Sequence, residues 1–185
     1  MGHDILFAFW FMLPAAAANG APIFSARLPG IDKWDARLDF GKMFHDQPIL
    51  GSHKTWRGVI SGILVATLVL WLEQLLARHT AWAHNFTGGI DYSALPALVL
   101  GPLFGLGALG GDATKSFFKR RHGTRDGGTW FPFDQIDYII GAVIVSLPFF
   151  ILTLRQYILI FVMWFGLHLL STYIGWRIGL KESPI

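Results

Sequence analysis

Three short blocks of the sequence concentrate acids, bases and small residues in patterns suited to phosphate groups and metal ions. The first is Gly51-Ser52-His53-Lys54-Thr55-Trp56-Arg57-Gly58, which leads into an apolar run. Backbone N–H groups at a helix N-terminus, with Lys54, Thr55 and Arg57 beside them, make a site for a phosphate. The same cations could instead snorkel to lipid headgroups and serve only as topology markers. The second block, residues 110–121, sets Asp112, Lys115, Ser116 and Lys119 at i, i+3, i+4 and i+7. On a helix these share one face, where an acid, two ammoniums and a hydroxyl could hold a metal and phosphates together. The plainer alternative is an ion pair on a solvated basic face.

The third block is Trp130-Phe131-Pro132-Phe133-Asp134-Gln135-Ile136-Asp137. Asp134 could simply cap a helix and complement its dipole. Asp137 is followed by Tyr138-Ile139-Ile140-Gly141-Ala142, so it falls at or below a membrane boundary, where an unpaired carboxylate is costly. A divalent cation would compensate it. The chain has no cysteine, which excludes disulfides, thiolate zinc sites and cysteine nucleophiles. Asp112, Asp134 and Asp137 therefore point to a hard, oxygen-preferring ion such as Mg²⁺.

The elements that must position these blocks follow from composition. With 185 residues, 53% hydrophobic and 15% charged, the chain has more apolar surface than one soluble core could bury. A bilayer is its main solvent. The net charge of +3 does not indicate a nucleic-acid partner, because the basic residues are divided among apolar runs and form no stripe. Five apolar stretches, 5–24, 59–76, 94–109, 136–152 and 157–178, approach the length that spans about 30 Å of hydrocarbon. The expected fold is an all-α integral membrane protein of about five transmembrane helices, one domain over 1–185 with inner loops 25–58 and 110–135.

The third stretch is the shortest and is broken by Gly101, Pro102, Gly105 and Gly107, the mark of a kinked helix buried among neighbours or lining a cavity. Only Thr153, Leu154, Arg155 and Gln156 join the last two, which predicts a tight antiparallel hairpin. Ala15 to Ala18 and Asn19-Gly20-Ala21 resemble a cleavage region, but Met1-Gly2-His3-Asp4 carries no positive charge, so the first stretch is read as a retained span. Asn19, inside that span with Pro14 and Pro22 nearby, is expected to face the protein interior.

Orientation follows from the cations. Six lie in the first long loop (Arg27, Lys33, Arg37, Lys42, Lys54, Arg57) and five in the second (Lys115, Lys119, Arg120, Arg121, Arg125). Arg177 and Lys181 follow the last span, while the opposite face has only Arg78 and Arg155. The positive-inside rule then places the N-terminus out, the C-terminus in, and the three blocks on the cytoplasmic face of a multi-pass cell-membrane protein.

Taken in order, these segments carry a family resemblance. Asn19-Gly20-Ala21-Pro22, Leu38-Asp39-Phe40-Gly41, Leu50-Gly51, Lys54-Thr55-Trp56-Arg57-Gly58, Gly111-Asp112 through Lys119-Arg120-Arg121, and Pro132-Phe133-Asp134-Gln135-Ile136-Asp137 resemble the CDP-archaeol synthase family over nearly the whole chain. The second and third blocks also look like a compact form of the CDP-diacylglycerol synthase signature, a Ser-x-x-Lys-Arg run followed by an Asp-x-x-Asp pair. Ser52-His53, just before Lys54, departs from the acidic or glycine-containing pair expected there in many archaeal relatives.

The resemblance implies a CTP-dependent cytidylyltransferase: a membrane lipid phosphate attacks the α-phosphorus of CTP and pyrophosphate leaves. A phosphate monoester is mostly ionised at neutral pH, so no strong base is needed and catalysis rests on placement and charge neutralisation. On this reading Asp112, Asp134 and Asp137 hold Mg²⁺, and Lys54, Arg57, Lys115, Lys119 and Arg120 contact phosphates. Ser116, Thr55 and Asn19 complete the substrate site, and the gap between spans three and four admits the lipid headgroup. Ether-linked isoprenoid and ester-linked acyl lipids (phosphatidate) both remain open as substrates, as does a homodimer. A small transporter or channel is disfavoured because the charges cluster at one face rather than through the membrane depth.

Overall fold

The structure, a computed structural model, describes residues 2–124 and 128–179; Arg125 and Lys181, counted above, lie outside the described residues. Five α-helices carry the fold: α1 (Gly2–Ser25), α2 (Trp56–His79), α3 (Ala97–Arg121), α4 (Phe133–Ser146) and α5 (Leu154–Arg177). The loop between α1 and α2 contains a minimal antiparallel hairpin of β1 (Met43–Phe44) and β2 (Gln47–Pro48). Two short 3-10 turns, Ala81–Phe86 and Tyr92–Ala94, link α2 to α3.

Helices α1, α2, α3 and α5 are long and apolar enough to cross a membrane. The 14-residue α4 is shorter. At about 1.5 Å per residue it rises only about 21 Å, against about 30 Å of hydrocarbon. The expected stretch 136–152 finishes as a turn and extended chain, where Phe150 packs edge-on against Phe11 with ring centroids 5.5 Å apart. The last two helices are also less tightly paired than their spacing predicts. Thr153 and Gln156 form a capping box at the start of α5, so they begin the helix and the connector runs over 147–153. Helix α5 then packs more on α1 than on α4: Trp164 Nε1 donates to the Ala8 carbonyl at 2.9 Å, and its ring stacks on Phe9.

Helix α1 touches all four other helices and is the most buried of the long ones, and α2 packs between α1 and α3 at the side of the bundle. Gly58, Gly62, Ala66 and Leu70 recur every fourth residue on its buried face, while Leu64, Leu68 and Leu72 are exposed on the other. In lipid, where apolar surface gains nothing from burial as such, small residues permit the close backbone approach that makes packing favourable. Helix α3 is the longest element rather than the shortest, and it runs unbroken through Gly110-Gly111 into the second basic block. Its glycines mark contact rather than interruption. A methyl group on Gly111 would strike the Asp137 carbonyl oxygen, and one on Gly141 would strike the Gly107 carbonyl. This crossing of α3 and α4 brings the second and third blocks together.

Candidate active site

The C-terminal ends of α1, α3 and α5 and the N-terminal ends of α2 and α4 meet at one end of the bundle, beneath the 26–55 loop. They enclose a polar cavity of about 710 Å³ whose walls include Asn19, Lys54, Arg57, Ser116 and Arg120. An apolar cleft of about 560 Å³ lies between α3 and α4, lined by Leu106, Phe118, Ile136, Ile140 and Ile144. Most of these apolar side chains are exposed, so the cleft opens at the outer surface of the bundle. Lys115 and Asp137 line both spaces.

At that junction three carboxylates surround one ammonium. Lys115 Nζ lies 3.2 Å from Asp112 Oδ1, 2.7 Å from Asp134 Oδ1 and 3.0 Å from Asp137 Oδ2. Lys119 Nζ lies 2.9 Å from Asp134, and Lys54 Nζ pairs with Asp112. The Asp137 side chain is only 4% exposed, and that of Lys119 9%. The i, i+3, i+4, i+7 face exists because α3 stays helical through the block, and the Gly111 crossing brings Asp137 to it. Asp134 also accepts from the Trp130 N–H at 2.5 Å, closing the loop that precedes α4.

Lys54 is placed by the preceding loop. The Leu38 N–H donates to the Lys54 carbonyl at 2.8 Å and the Trp56 N–H to the Ala36 carbonyl at 2.9 Å. Thr55 Oγ1 accepts from the Gly58 N–H at 3.1 Å, so the hydroxyl caps α2. Arg57 is directed away from the carboxylates: its Nη1 donates to the Asp32 carbonyl at 2.5 Å, tying the loop to α2. A phosphate contact would fall to the rest of the guanidinium.

Several residues outside the candidate set shape the site. Asp39 accepts from the N–H groups of Gly41 at 2.9 Å and Leu50 at 3.0 Å and from Arg37 Nη2 at 3.1 Å. Burial pushes its pKa up, but these hydrogen bonds and the Arg37 charge outweigh it and hold the carboxyl below the usual range. The Asp39-Phe40-Gly41 spacing is an Asx-turn signal legible in sequence. Arg121 clasps the hairpin by donating to the Pro48 carbonyl at 2.8 Å while lying over the Phe44 and Phe117 rings. Gln135, His168 and Thr172 also line the polar cavity. Of these, His168 stands out in the sequence as a polar residue within an apolar span.

The donor set suits a hard cation, since three carboxylates from two helices converge on one positive nitrogen. Among the described residues no three acidic or histidine side chains are spaced as a ready chelate. Lys115 stands between them, and its displacement is needed to bring the oxygens onto a metal.

A polar cavity with paired lysines and carboxylates, joined to an apolar cleft within a bundle of helices long and apolar enough to cross a membrane, suits a membrane enzyme whose substrate has a charged head and an apolar tail. The comparisons with known proteins agree. A family model described as CarS-like, CDP-archaeol synthase, matches residues 1–185, and the chain belongs to this family. It is 33% identical over 182 residues to the CDP-archaeol synthase of Thermococcus kodakarensis, covering 98% of this chain and 96% of that protein. It is 32% identical over 192 residues to that of Methanocaldococcus jannaschii, covering 98% of each. A solved structure of an intramembrane enzyme for archaeal membrane lipid biosynthesis superposes with a TM-score of 0.71 at 28% identity, covering 90% of this chain and 93% of that one.

Proposed function

We propose that the junction at Lys115 and Asp137 is where a lipid phosphate, its chain in the α3–α4 cleft, meets CTP in the polar cavity. As a CDP-archaeol synthase family member, the chain is a membrane CTP-dependent cytidylyltransferase that forms CDP-archaeol. One observation carries the assignment of place: the same two side chains wall both an apolar space and a polar one. An amphipathic substrate needs both environments side by side.

In the reaction a lipid phosphate oxygen forms a bond to the α-phosphorus of CTP, and the bond from that phosphorus to the β-phosphate bridging oxygen breaks, releasing pyrophosphate. Lys54, Lys115, Lys119 and Arg120 bind and orient the phosphates, and Ser116 adds a hydroxyl on the same face of α3. Asn19 lines the same cavity, Arg57 holds the loop and Thr55 caps the α2 terminus beside it. Asp112, Asp134 and Asp137 would hold Mg²⁺, which when bound supplies charge neutralisation for the triphosphate. By the positive-inside rule the basic loops support a cytoplasmic position for this end of the bundle in the cell membrane, with the N-terminus outside. The ether lipid 2,3-bis-O-geranylgeranylglycerol 1-phosphate is the proposed acceptor.

The test is incubation of the purified protein with labelled CTP, Mg²⁺ and either that ether lipid phosphate or phosphatidate. CDP-lipid formed mainly from the ether lipid is the expected result. Equal or greater turnover of phosphatidate would overturn the substrate assignment.

A further inference from the structure

Three acids and three lysines in the site are mutually engaged, and they come from three parts of the chain. Lys54 precedes α2, Asp112, Lys115 and Lys119 lie on α3, and Asp134 and Asp137 lie on α4. Lys115 alone contacts all three carboxylates, Lys119 contacts Asp134, and Lys54 contacts Asp112. On the functional reading above, the carboxylates are destined for a divalent cation and the ammoniums for phosphate. In the structure each group is held by the partner of the other ligand.

We infer that Lys54, Lys115 and Lys119 are resident counter-ions of the metal-binding carboxylates, and that cation and nucleotide bind by exchanging partners, each strengthening the other. The inference rests on that functional reading and adds to it a coupling between the two ligands. A divalent ion entering alone would take the carboxylates and strand ammoniums in a site where the Lys115 and Lys119 side chains are 13% and 9% exposed. A triphosphate entering alone would take the ammoniums and strand the carboxylates, of which Asp137 is 4% exposed. Breaking a buried pair by removing one partner is strongly unfavourable, because it leaves an uncompensated charge. When both ligands enter, every lysine–carboxylate contact is replaced by a lysine–phosphate or carboxylate–metal contact, and no charge is stranded. The coupling is reciprocal by linkage.

The experiment uses the full chain in lipid nanodiscs and measures each ligand alone. Mn²⁺ binding without nucleotide is followed by electron paramagnetic resonance, and labelled CTP binding in chelator by equilibrium dialysis. Lys115→Met removes the ammonium that competes with the cation, and it should bind Mn²⁺ alone at least about tenfold more tightly than the parent, at the low end of ordinary coupling energies. Asp134→Asn frees Lys119 and relieves Lys115 of one of its three carboxylates, and it should bind metal-free CTP more tightly by a similar factor although it removes a proposed metal ligand. A purely structural role for these pairs would move neither affinity upward. Circular dichroism and elution volume establish that each variant is folded, and either variant suffices if the other is not. If a folded variant binds its ligand no more tightly than a parent that takes up Mn²⁺ together with CTP and makes CDP-lipid, the exchange is wrong and the functional reading stands. If the parent takes up no Mn²⁺ even with CTP present, the metal assignment beneath the inference falls, and the exchange with it.

Discussion

The two ends of the helical bundle use polar groups in different ways. At the cavity end, charged side chains from the loop before α2 and from α3 and α4 are bound to one another, and Lys115, Asp112 and Asp134 each have more than one ionic partner. At the opposite end, where an ion pair joins Arg155 to Asp4, aromatic rings and backbone carbonyls make most of the contacts among the described residues. Trp10 packs against Trp82, Phe86 and Tyr92, Gln74 donates to the Ser93 and Leu95 carbonyls, and Arg78 donates to the Ser93 carbonyl at 2.6 Å. Ring packing has one good arrangement and fixes the helices. Ion pairs between long side chains can change partners at little steric cost. Partner exchange at the site therefore needs less steric rearrangement than any change at the far end would.

The sharpest break in that comparison should come from Asp137→Asn, which keeps size and loses charge at the junction of cavity and cleft. We expect CDP-lipid formation to fall by about a thousandfold, roughly 4 kcal/mol of transition-state stabilisation, with helicity unchanged. A rate within threefold of the parent would make Asp137 structural.

Trp10→Ala tests the other end and should do the reverse. It should lower the unfolding midpoint in detergent by about 6–12 °C, corresponding to about 3 kcal/mol of lost packing. Activity per folded molecule should stay within twofold. A large loss of turnover with no change in midpoint would show that the two ends are not separable.

Arg57→Lys lies between these extremes, because Arg57 sits at the cavity but spends Nη1 on the Asp32 carbonyl. Lysine is a point donor without the planar fork, so it cannot hold both the loop and a phosphate. The rate should fall by about tenfold, near the 1.4 kcal/mol of one charge-assisted contact. Measuring it at saturating CTP and again at saturating lipid phosphate identifies the substrate served, and an unchanged rate in both would remove the phosphate role.

The smallest effect is expected at Asp39, which orders the loop above the cavity. Its carboxyl titrates below the usual range in the folded protein, so its contribution is fully present above the unfolded value and is lost as pH falls through the lower folded one. Proteolysis of the 26–55 loop should accelerate on that acid limb. Asp39→Asn should cleave faster at neutral pH and flatten the dependence, and a parent-like profile would assign the loop's order to other contacts.

Much of this arrangement is legible along the chain, because its physics is local. Hydrocarbon thickness sets the length of a span, so α1, α2 and α5 lie close to their apolar runs. The helical period puts Asp112, Lys115, Ser116 and Lys119 on one face wherever they are helical. The same local reasoning anticipated that α3 would be buried among neighbours or line a cavity but misjudged its length, because the apolar run stops at Leu109 while the helix continues through Gly110-Gly111 to Arg121. Arg57 and Thr55 belong to a basic block in sequence, yet the loop carbonyl and the helix cap that engage them depend on how residues 26–55 fold back.

Residue types, family and the positions of α1, α2 and α5 were thus determined by the sequence itself, because composition, period and motif order need no third dimension. That Lys115 stands among three carboxylates, and that it borders the apolar cleft as well as the polar cavity, was decided only by tertiary structure. Asp112 and Asp137 are on different helices, and they meet because glycines at the α3–α4 crossing let the two backbones approach closely.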